Sequence, residues 1–293
     1  MFEKSATAAA WAGCLISASA RFDLPDFDAA RAIVSHAGDI DFDGGPGSLE
    51  ISSFELRSLL SKPLTPADCL TILPVFEYEA TSLEFDGVPG GFPIRDEDLH
   101  SVNLSAYAFA ARDGSPWIGI GWARAEMAGD FQDFGGDDFT FDVAGGIAYR
   151  FHEKFTLGFG GAVANLNGDT TFYPGIGFDW IVNDAVRIGL YGPTFIAAYS
   201  PDADWEFSFR GDSGGGTWNI SDDAGKSRSI DLTSYRFGLF ASRRLTGQLW
   251  LSAGAGTTFG NEIRLTEPDG DELFEQEMDS GLFGQISLRL KAW

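Results

Sequence analysis

Long apolar runs are missing from this sequence. Its 293 residues contain no stretch of about eighteen consecutive apolar residues, the length that a membrane-spanning helix needs. Mean hydropathy is -0.05, which would also suit a soluble protein. A membrane-spanning β-strand needs only about 9 to 11 residues, and only half of them face lipid. The composition therefore offers no spanning helix and leaves a transmembrane β-barrel open.

Positive charge is scarce as well. Lysine and arginine total 20 against 43 aspartate and glutamate residues, which gives a formal net charge of -23. This balance argues against nucleic-acid binding, because a phosphate-binding surface needs a field of lysine and arginine. Acidic residues concentrate in predicted loops: Asp39, Asp41, Asp43, Asp96, Glu97, Asp98, Asp137, Asp138, Asp222, Asp223, Asp269, Asp271 and Glu272. They either keep the protein soluble or share divalent cations with lipopolysaccharide phosphates, and no segment matches the twelve-residue calcium loop.

A period-two pattern is what the sequence does contain. Between residues 138 and 151, apolar and small or polar residues alternate, the apolar set being Phe139, Phe141, Val143, Ile147, Tyr149 and Phe151. This alternation is typical of a strand with one apolar face. It recurs along nearly the whole chain, between turns that are alternately short and long. The pattern predicts an all-β fold, a single antiparallel up-and-down transmembrane β-barrel in the bacterial outer membrane.

The turns predict the number of strands. Short turns at 152–154, 183–184, 201–204 and 244–247 face the periplasm in an outer-membrane barrel, and the longer polar connections face outside. Among the longer connections are 211–228 and 260–271. Strict alternation then requires a reversal at Tyr191-Gly192-Pro193-Thr194 and an outward strand near residues 29–37, which gives about fourteen strands. If residues 186–199 form one unbroken strand, the count falls to about twelve.

Each predicted strand has one polar face. The residues predicted to line the lumen are Glu55, Arg57, Glu77, Glu79, Asp142, Arg150, Arg187, Glu206, Arg210, Arg236 and Arg289. Opposed charges in a pore set ion selectivity, whereas a fully paired network would instead fill and brace the barrel. The alternate residues are predicted to face lipid: Phe76, Tyr78, Ile118, Ile120, Trp122, Val186, Ile188, Leu190, Trp205, Phe207, Phe209, Tyr235, Phe237, Leu239, Leu282, Ile286, Leu288 and Leu290.

The two ends of the chain carry export features. Residues 1–20 predict a signal peptide, with a small apolar stretch before Ala18-Ser19-Ala20, and residues 21–293 are then one barrel domain. Trp293 is a terminal aromatic residue of the kind that barrel-assembly machinery recognises. The expected partners are therefore that machinery, outer-membrane lipids and lipopolysaccharide.

A family resemblance covers about a third of the chain. Its residues are Tyr173-Pro174-Gly175-Ile176-Gly177 with Trp180, Asn183 and Asp184, then Gly192-Pro193, Tyr199 with the turn to Asp204, and Tyr235-Arg236-Phe237-Gly238. In these motifs the sequence resembles an uncharacterised family, a domain of unknown function, of bacterial outer-membrane barrels. The resemblance implies a signal peptide, outer-membrane residence and an unassigned role, and it supplies no catalytic residue.

The sequence favours a passive, porin-like channel for small polar solutes or ions, with no cofactor. The alternative is a structural or adhesion barrel with a plugged lumen, and less favoured are a barrel lipid hydrolase and a soluble β-rich binding module. Only three histidines limit catalysis. His100 with Ser101 and His36 with Ser35 point to opposite faces within their strands, so a hydrolase would need pairing across strands.

Overall fold

The computed structural model describes residues 28–89, 92–132, 138–166, 169–221, 227–267 and 271–292, with the side chains of residues 165, 166, 169 and 170 left out. The predicted signal peptide, Trp293 and the acidic residues Asp137, Asp222, Asp223 and Asp269 lie outside the described residues. Among the described residues, no helix has the length and apolarity needed to cross a membrane.

Sixteen strands run through the described part of the chain. They are β1 (Asp28–Asp41), β2 (Ser48–Leu59), β3 (Leu64–Ala67), β4 (Leu70–Asp86), β5 (Glu97–Ala111), β6 (Trp117–Gly129), β7 (Phe139–His152), β8 (Phe155–Leu166), β9 (Asp169–Asn183), β10 (Val186–Tyr191), β11 (Thr194–Tyr199), β12 (Trp205–Ser221), β13 (Ser227–Thr246), β14 (Leu249–Thr266), β15 (Glu272–Met278) and β16 (Leu282–Lys291).

Fourteen of these strands close into a barrel. Each pairs antiparallel with the next strand of the wall, and β1 pairs with β16 from Arg31↔Arg289 to Gly38↔Leu282, which joins the two ends of the sheet. The short strands β3 and β15 add to β4 and β14 outside this ring. The chain reverses between Tyr191 and Thr194, so the predicted fourteen-strand antiparallel barrel is confirmed and the twelve-strand alternative is wrong.

The barrel wall has an apolar outside. Directly paired residues of an antiparallel ladder point to the same face, so the register carries each face around the barrel. The outward face holds the most exposed large apolar side chains, with Phe141 at 73%, Leu239 at 69% and Leu282 at 77% exposure. Within the described ranges, little of the protein covers this belt, and a soluble protein rarely exposes so continuous an apolar surface. A closed barrel with such a belt has the construction that spans a membrane.

Strand β6 corrects one part of the predicted outward face. Ile118, Ile120 and Trp122 were expected to face lipid, but they share a face with Arg124, which pairs with Asp142 of β7. They therefore point into the barrel, where Trp122 lies 6.4 Å from the ring of Tyr107. The outward positions of β6 between Trp117 and Met127 are all glycine or alanine, so the larger alternate residues misled the sequence pattern.

The outer end, defined here as the end with the longer connections, differs from the prediction. Residues 211–228 were expected to be a long loop, yet β12 continues to Ser221 and β13 begins at Ser227. This hairpin extension, residues 212–221 with 227–236, is called the arm. It leaves the wall and crosses to the far side of the barrel, where Asn219 pairs with Gly129 of β6. Gly215 has a φ of 96°, and a Cβ there would lie 1.9 Å from the carbonyl oxygen of Leu232, so the crossing requires glycine.

Apolar side chains fill the space beneath the arm. This apolar cap comprises Ala37, Ile40, Phe42, Leu49, Leu83, Ile94, Leu99, Ala128, Trp218, Ile220, Ile230, Leu232, Phe240, Ile263, Leu265, Met278 and Phe283. Ile40, Leu49, Leu83, Leu99, Ile230 and Ile263 are completely buried. The members come from β1–β6, β12–β16 and their connections, so the cap covers that half of the outer mouth and leaves β7–β11 aside.

The wall is low at one place. Strands β10 and β11 have six residues each, whereas their neighbours β9 and β12 have 15 and 17. Pairing between β9 and β10 runs from Asn183 only to Phe178, and pairing between β11 and β12 runs from Phe207 only to Gly211. In the described residues, the outer parts of β9 and β12 therefore have no strand between them.

Candidate functional site

The charged side chains of the strands converge inside the barrel. Glu206 of β12 forms an ion pair with Arg289 of β16, although β13 and β14 lie between their strands. Such a contact forms where side chains meet inside a cylinder. The register places all eleven residues of the predicted lumen set on this same inward face.

The first cluster surrounds Arg124 on β6. Its Nη2 lies 2.5 Å from Oδ2 of Asp142, its Nε donates to the same oxygen at 2.7 Å, and its Nη2 lies 3.1 Å from Oε2 of Glu126. Asp142 is only 1% exposed. A carboxylate so deeply buried requires a partner of opposite charge, because desolvation of an unpaired charge costs several kcal/mol. Arg124 also lies over the ring of Trp122, 5.6 Å from its centroid.

The second cluster lies on β1, β2 and β4. Arg57 pairs with Glu77, with Nε 3.1 Å from Oε1, and Arg31 forms an ion pair with Glu55. Glu79 accepts a hydrogen bond from the hydroxyl of Thr81 at 3.2 Å. Carboxylates therefore exceed arginines on the inward face from β2 to β7.

The third cluster carries the opposite excess. Nη2 of Arg210 and Nη2 of Arg289 each lie 3.5 Å from the same oxygen of Glu206. Arg31 lies directly opposite Arg289 in the register, and like charges in that position repel one another. Arg236 pairs with Asp212, with Nε 2.9 Å from Oδ1. Arginines therefore exceed carboxylates on β12–β16 and β1.

Two predicted residues lie apart from these clusters. Arg187 of β10 makes a bidentate pair with Asp179, at 2.8 and 2.9 Å, and Asp179 also accepts from the hydroxyl of Tyr191 at 3.1 Å. Arg150 lies on the inward face near the inner end of β7 and is exposed.

The lumen is thus divided into an acidic wall and a basic wall. Glu79 on β4 and Arg236 on β13 interact electrostatically although their strands are not neighbours. This separation of charge implies an electrostatic field across the lumen.

Sequence reasoning missed five charged members of these clusters: Arg31, Arg124, Glu126, Asp179 and Asp212. Arg124 and Glu126 were missed because the apolar residues before them suggested the opposite inward and outward faces for β6. Continuing the period of two from Arg124 back to Trp122 would have found them. Asp212 was lost because it was assigned to a loop.

A cluster at the outer end lies beyond the wall. Arg264 of β14 contacts Glu262 at 2.8 Å and Glu275 at 3.0 Å, where β14 pairs with β15. The hydrogen bond to Glu275, together with nearby carboxylate charge, raises the pKa of Arg264. This partly exposed cluster lies at the outer end of β14, where β15 pairs with it, and takes no part in the lumen.

Pairing of histidine with serine across strands occurs on the outward face. Nδ1 of His36 lies 3.0 Å from the hydroxyl oxygen of Ser52, and His100 instead bonds the hydroxyl of Tyr78 at 3.0 Å. A hydrolytic triad also needs a group that orients the histidine, and within the described ranges no carboxylate bonds His36. In the same part of the chain, no group of three or more His, Cys, Asp or Glu side chains could hold a metal ion.

Several solved structures are similar to this chain over most of its length, at low sequence identity. The outer membrane channel COG4313 from Pseudomonas putida F1 is 12% identical, covers 94% of this chain and 99% of its own, and has a TM-score of 0.45. A Pseudomonas aeruginosa FadL homologue is 11% identical over 89% of both chains, with a TM-score of 0.42. The TodX monoaromatic hydrocarbon channel deltaS2 mutant is 8% identical, covers 92% of this chain and 90% of its own, and has a TM-score of 0.34. The fold assignment rests on the strand register alone.

Comparison of sequences gives a family. No curated protein matches the chain. A family model described as "Domain of unknown function (DUF6268)" matches residues 114–291. This range is more than half of the chain and includes the motifs between residues 172 and 259 that carried the resemblance. The chain therefore belongs to the DUF6268 family.

Proposed function

We propose that this protein is a bacterial outer-membrane channel through which small polar solutes or ions diffuse passively. The observation that carries the proposal is the division of the lumen into an acidic wall and a basic wall. Interior side chains that only stabilise a barrel can pair in any distribution, whereas separated walls produce a field across the lumen. The apolar belt supports residence in a membrane, in contact with outer-membrane lipid and lipopolysaccharide after insertion by barrel-assembly machinery.

The rival function is a barrel with a plugged interior that serves a structural or adhesive role. The apolar cap favours this alternative, because it fills the outer mouth over β1–β6 and β12–β16. The two functions differ in whether the charged lumen connects the two sides of the membrane.

Conductance in a planar bilayer separates them. The channel should give steady current steps, and a salt gradient should give a reversal potential that reports its ion preference. Arg210→Glu and Arg236→Glu each place negative charge on the basic wall, so both should shift the reversal potential towards cation preference. Arg243→Glu is the matched control, because Arg243 lies on the outward face of β13, 5.3 Å from the ring centroid of Trp205.

Three results would contradict the proposal. Absence of current steps from correctly folded protein would favour the plugged barrel. Equal shifts for Arg236→Glu and Arg243→Glu would mean that the basic wall does not line the pathway, as would no shift at all for Arg210→Glu.

A further inference from the structure

We infer that the lumen opens sideways through the barrel wall into the outer leaflet of the membrane, in the space above the β10–β11 hairpin. This opening is called the portal. It lies between residues 169–177 of β9 and the start of the arm at Asp212, where β12 leaves the wall. The opening itself does not depend on the proposed function, and only its use by a solute rests on that function.

The height of the hairpin shows that the portal lies at membrane depth. Six residues at about 3.3 Å each give about 20 Å along the strand. With a tilt of about 35–45°, this is a height of about 15 Å, against an apolar band of about 25 Å in transmembrane barrels. The hairpin therefore closes the wall through only part of the hydrocarbon layer.

The outward face of β9 supports the same depth. Pairing with β10 ends at Phe178, yet Phe172 and Ile176, beyond that point, are outward-facing and 63% and 59% exposed. Apolar side chains with such exposure are stable where hydrocarbon surrounds them. The outward face of β12 changes at the same level, from Phe207 and Phe209 to small and polar residues along the arm.

Unpaired strand edges constrain what the portal can contain. Backbone N–H and C=O groups without partners are tolerated at membrane depth only where they are buried in protein or line a water-filled cavity. In the described residues, the edge of β9 from 169 to 177 has no strand partner on the side away from β8, whereas the arm is partnered at Asn219 by Gly129 of β6. The edge of β9 is therefore accommodated if the lumen, with its water, reaches the portal.

The remaining surroundings define the solute. The inward faces of β8 and β9 beside the portal carry small residues, including Gly160, Ala162 and Gly175, together with the larger Tyr173, and a Cβ on Gly175 would meet nothing within 4 Å. The Arg236–Asp212 pair lies at the start of the arm, on the other side of the portal from β9. The apolar cap covers the opposite half of the mouth. This combination fits a small amphipathic solute that passes between the outer leaflet and the polar lumen.

Fluorescence quenching by lipid tests the portal. In a background with Cys14→Ser and Cys69→Ser, bimane would be attached to Gly175→Cys, an inward-facing position beside the portal. Ala144→Cys is the matched control, because it faces inward from β7 between two full-length neighbours. Phe141→Cys faces lipid and gives the upper limit. Vesicles would contain lipids with a nitroxide on the acyl chain.

The portal predicts quenching at Gly175 at least about twofold stronger than at Ala144 and approaching that at Phe141. Equal quenching at Gly175 and Ala144 would overturn the inference. Thr171→Cys, also inward-facing on β9, is the second reporter if the Gly175 variant fails to fold, as judged by its heat-dependent electrophoretic mobility.

Conductance of the same labelled proteins keeps the two proposals distinct. Strong quenching at Gly175 without current steps would leave the portal intact and remove the channel function. Normal current steps with weak quenching at Gly175 would remove the portal alone.

Discussion

Both proposals rest on the location of the barrel in a membrane. A charge placed on the outward face tests this location, because the loss of stability that it causes should depend on its depth in the bilayer. Ile147 and Phe151 both lie on the outward face of β7, with 46% and 57% exposure, so the surrounding protein covers them to a similar degree. Ile147 is close to the middle of the strand, whereas Phe151 is next to the turn at its inner end. The two positions differ mainly in their expected depth in the bilayer.

Replacement of each residue by lysine should lower the free energy of unfolding by a different amount. At the midplane of a bilayer an outward lysine costs about 2–4 kcal/mol, and near the interface it costs about 0–1 kcal/mol. The free energy of unfolding should therefore fall by about 2–4 kcal/mol in Ile147→Lys and by about 1 kcal/mol or less in Phe151→Lys. On the water-exposed surface of a soluble protein, both changes would stay within about 0.5 kcal/mol.

Reversible unfolding in lipid vesicles is the assay, with guanidinium as denaturant and the fluorescence of the barrel's tryptophans as signal. Each variant is compared with the wild type at equal lipid composition. Equal and small effects at the two positions would refute the argument, because they would mean that water or protein, not hydrocarbon, contacts Ile147.

Three further predictions concern the interior and the state of the protein. Asp142→Asn should lower the free energy of unfolding by about 3 kcal/mol, which is the lower end for breaking a buried ion pair, because Arg124 keeps Glu126 as a partner. Arg264→Gln, in the partly exposed cluster at the outer end, should lower the free energy of unfolding by less than about 1 kcal/mol. Similar values for the two variants would contradict the burial assigned to Asp142. Gly256→Ala should lower the free energy of unfolding by more than about 2 kcal/mol, because its Cβ would lie 1.9 Å from the carbonyl oxygen of Phe237. The Cβ of Gly284→Ala would meet nothing within 4 Å, so its free energy of unfolding should change by no more than about 0.5 kcal/mol. Unfolding in denaturant compares the two variants, and equal effects would contradict this prediction. The purified protein should need detergent to stay dispersed and should shift its electrophoretic mobility on heating, whereas a monodisperse species without detergent would indicate a soluble β protein.

The strands themselves could be predicted from sequence because alternation is a local property. In the fourteen residues around Phe141 and Val143, the alternation alone shows which residues lie on each face of the strand. Turn residues such as Asn183 and Asp184 mark where the chain reverses. The alternation of short and long turns, supported by the proline next to Gly192, placed the reversal between β10 and β11. From these reversals the count of fourteen followed.

Phase and partners were harder to predict. On β6, glycine and alanine occupy the outward face, so the apolar residues Ile118, Ile120 and Trp122 suggested the wrong side until Arg124 was seen to pair with Asp142. Arg31 gave no sequence signal of its own, because its importance comes from lying opposite Arg289, 258 positions away in the chain and adjacent only after closure.

Sequence by itself determined the alternating strands and the places where the chain reverses, because the period of two and the turn residues act within a few positions of one another. Tertiary structure decided which charges meet, how the arm crosses to β6, and where the short β10–β11 hairpin leaves the wall low. These features depend on contacts between distant strands, and such contacts follow from register and closure, which no local pattern specifies.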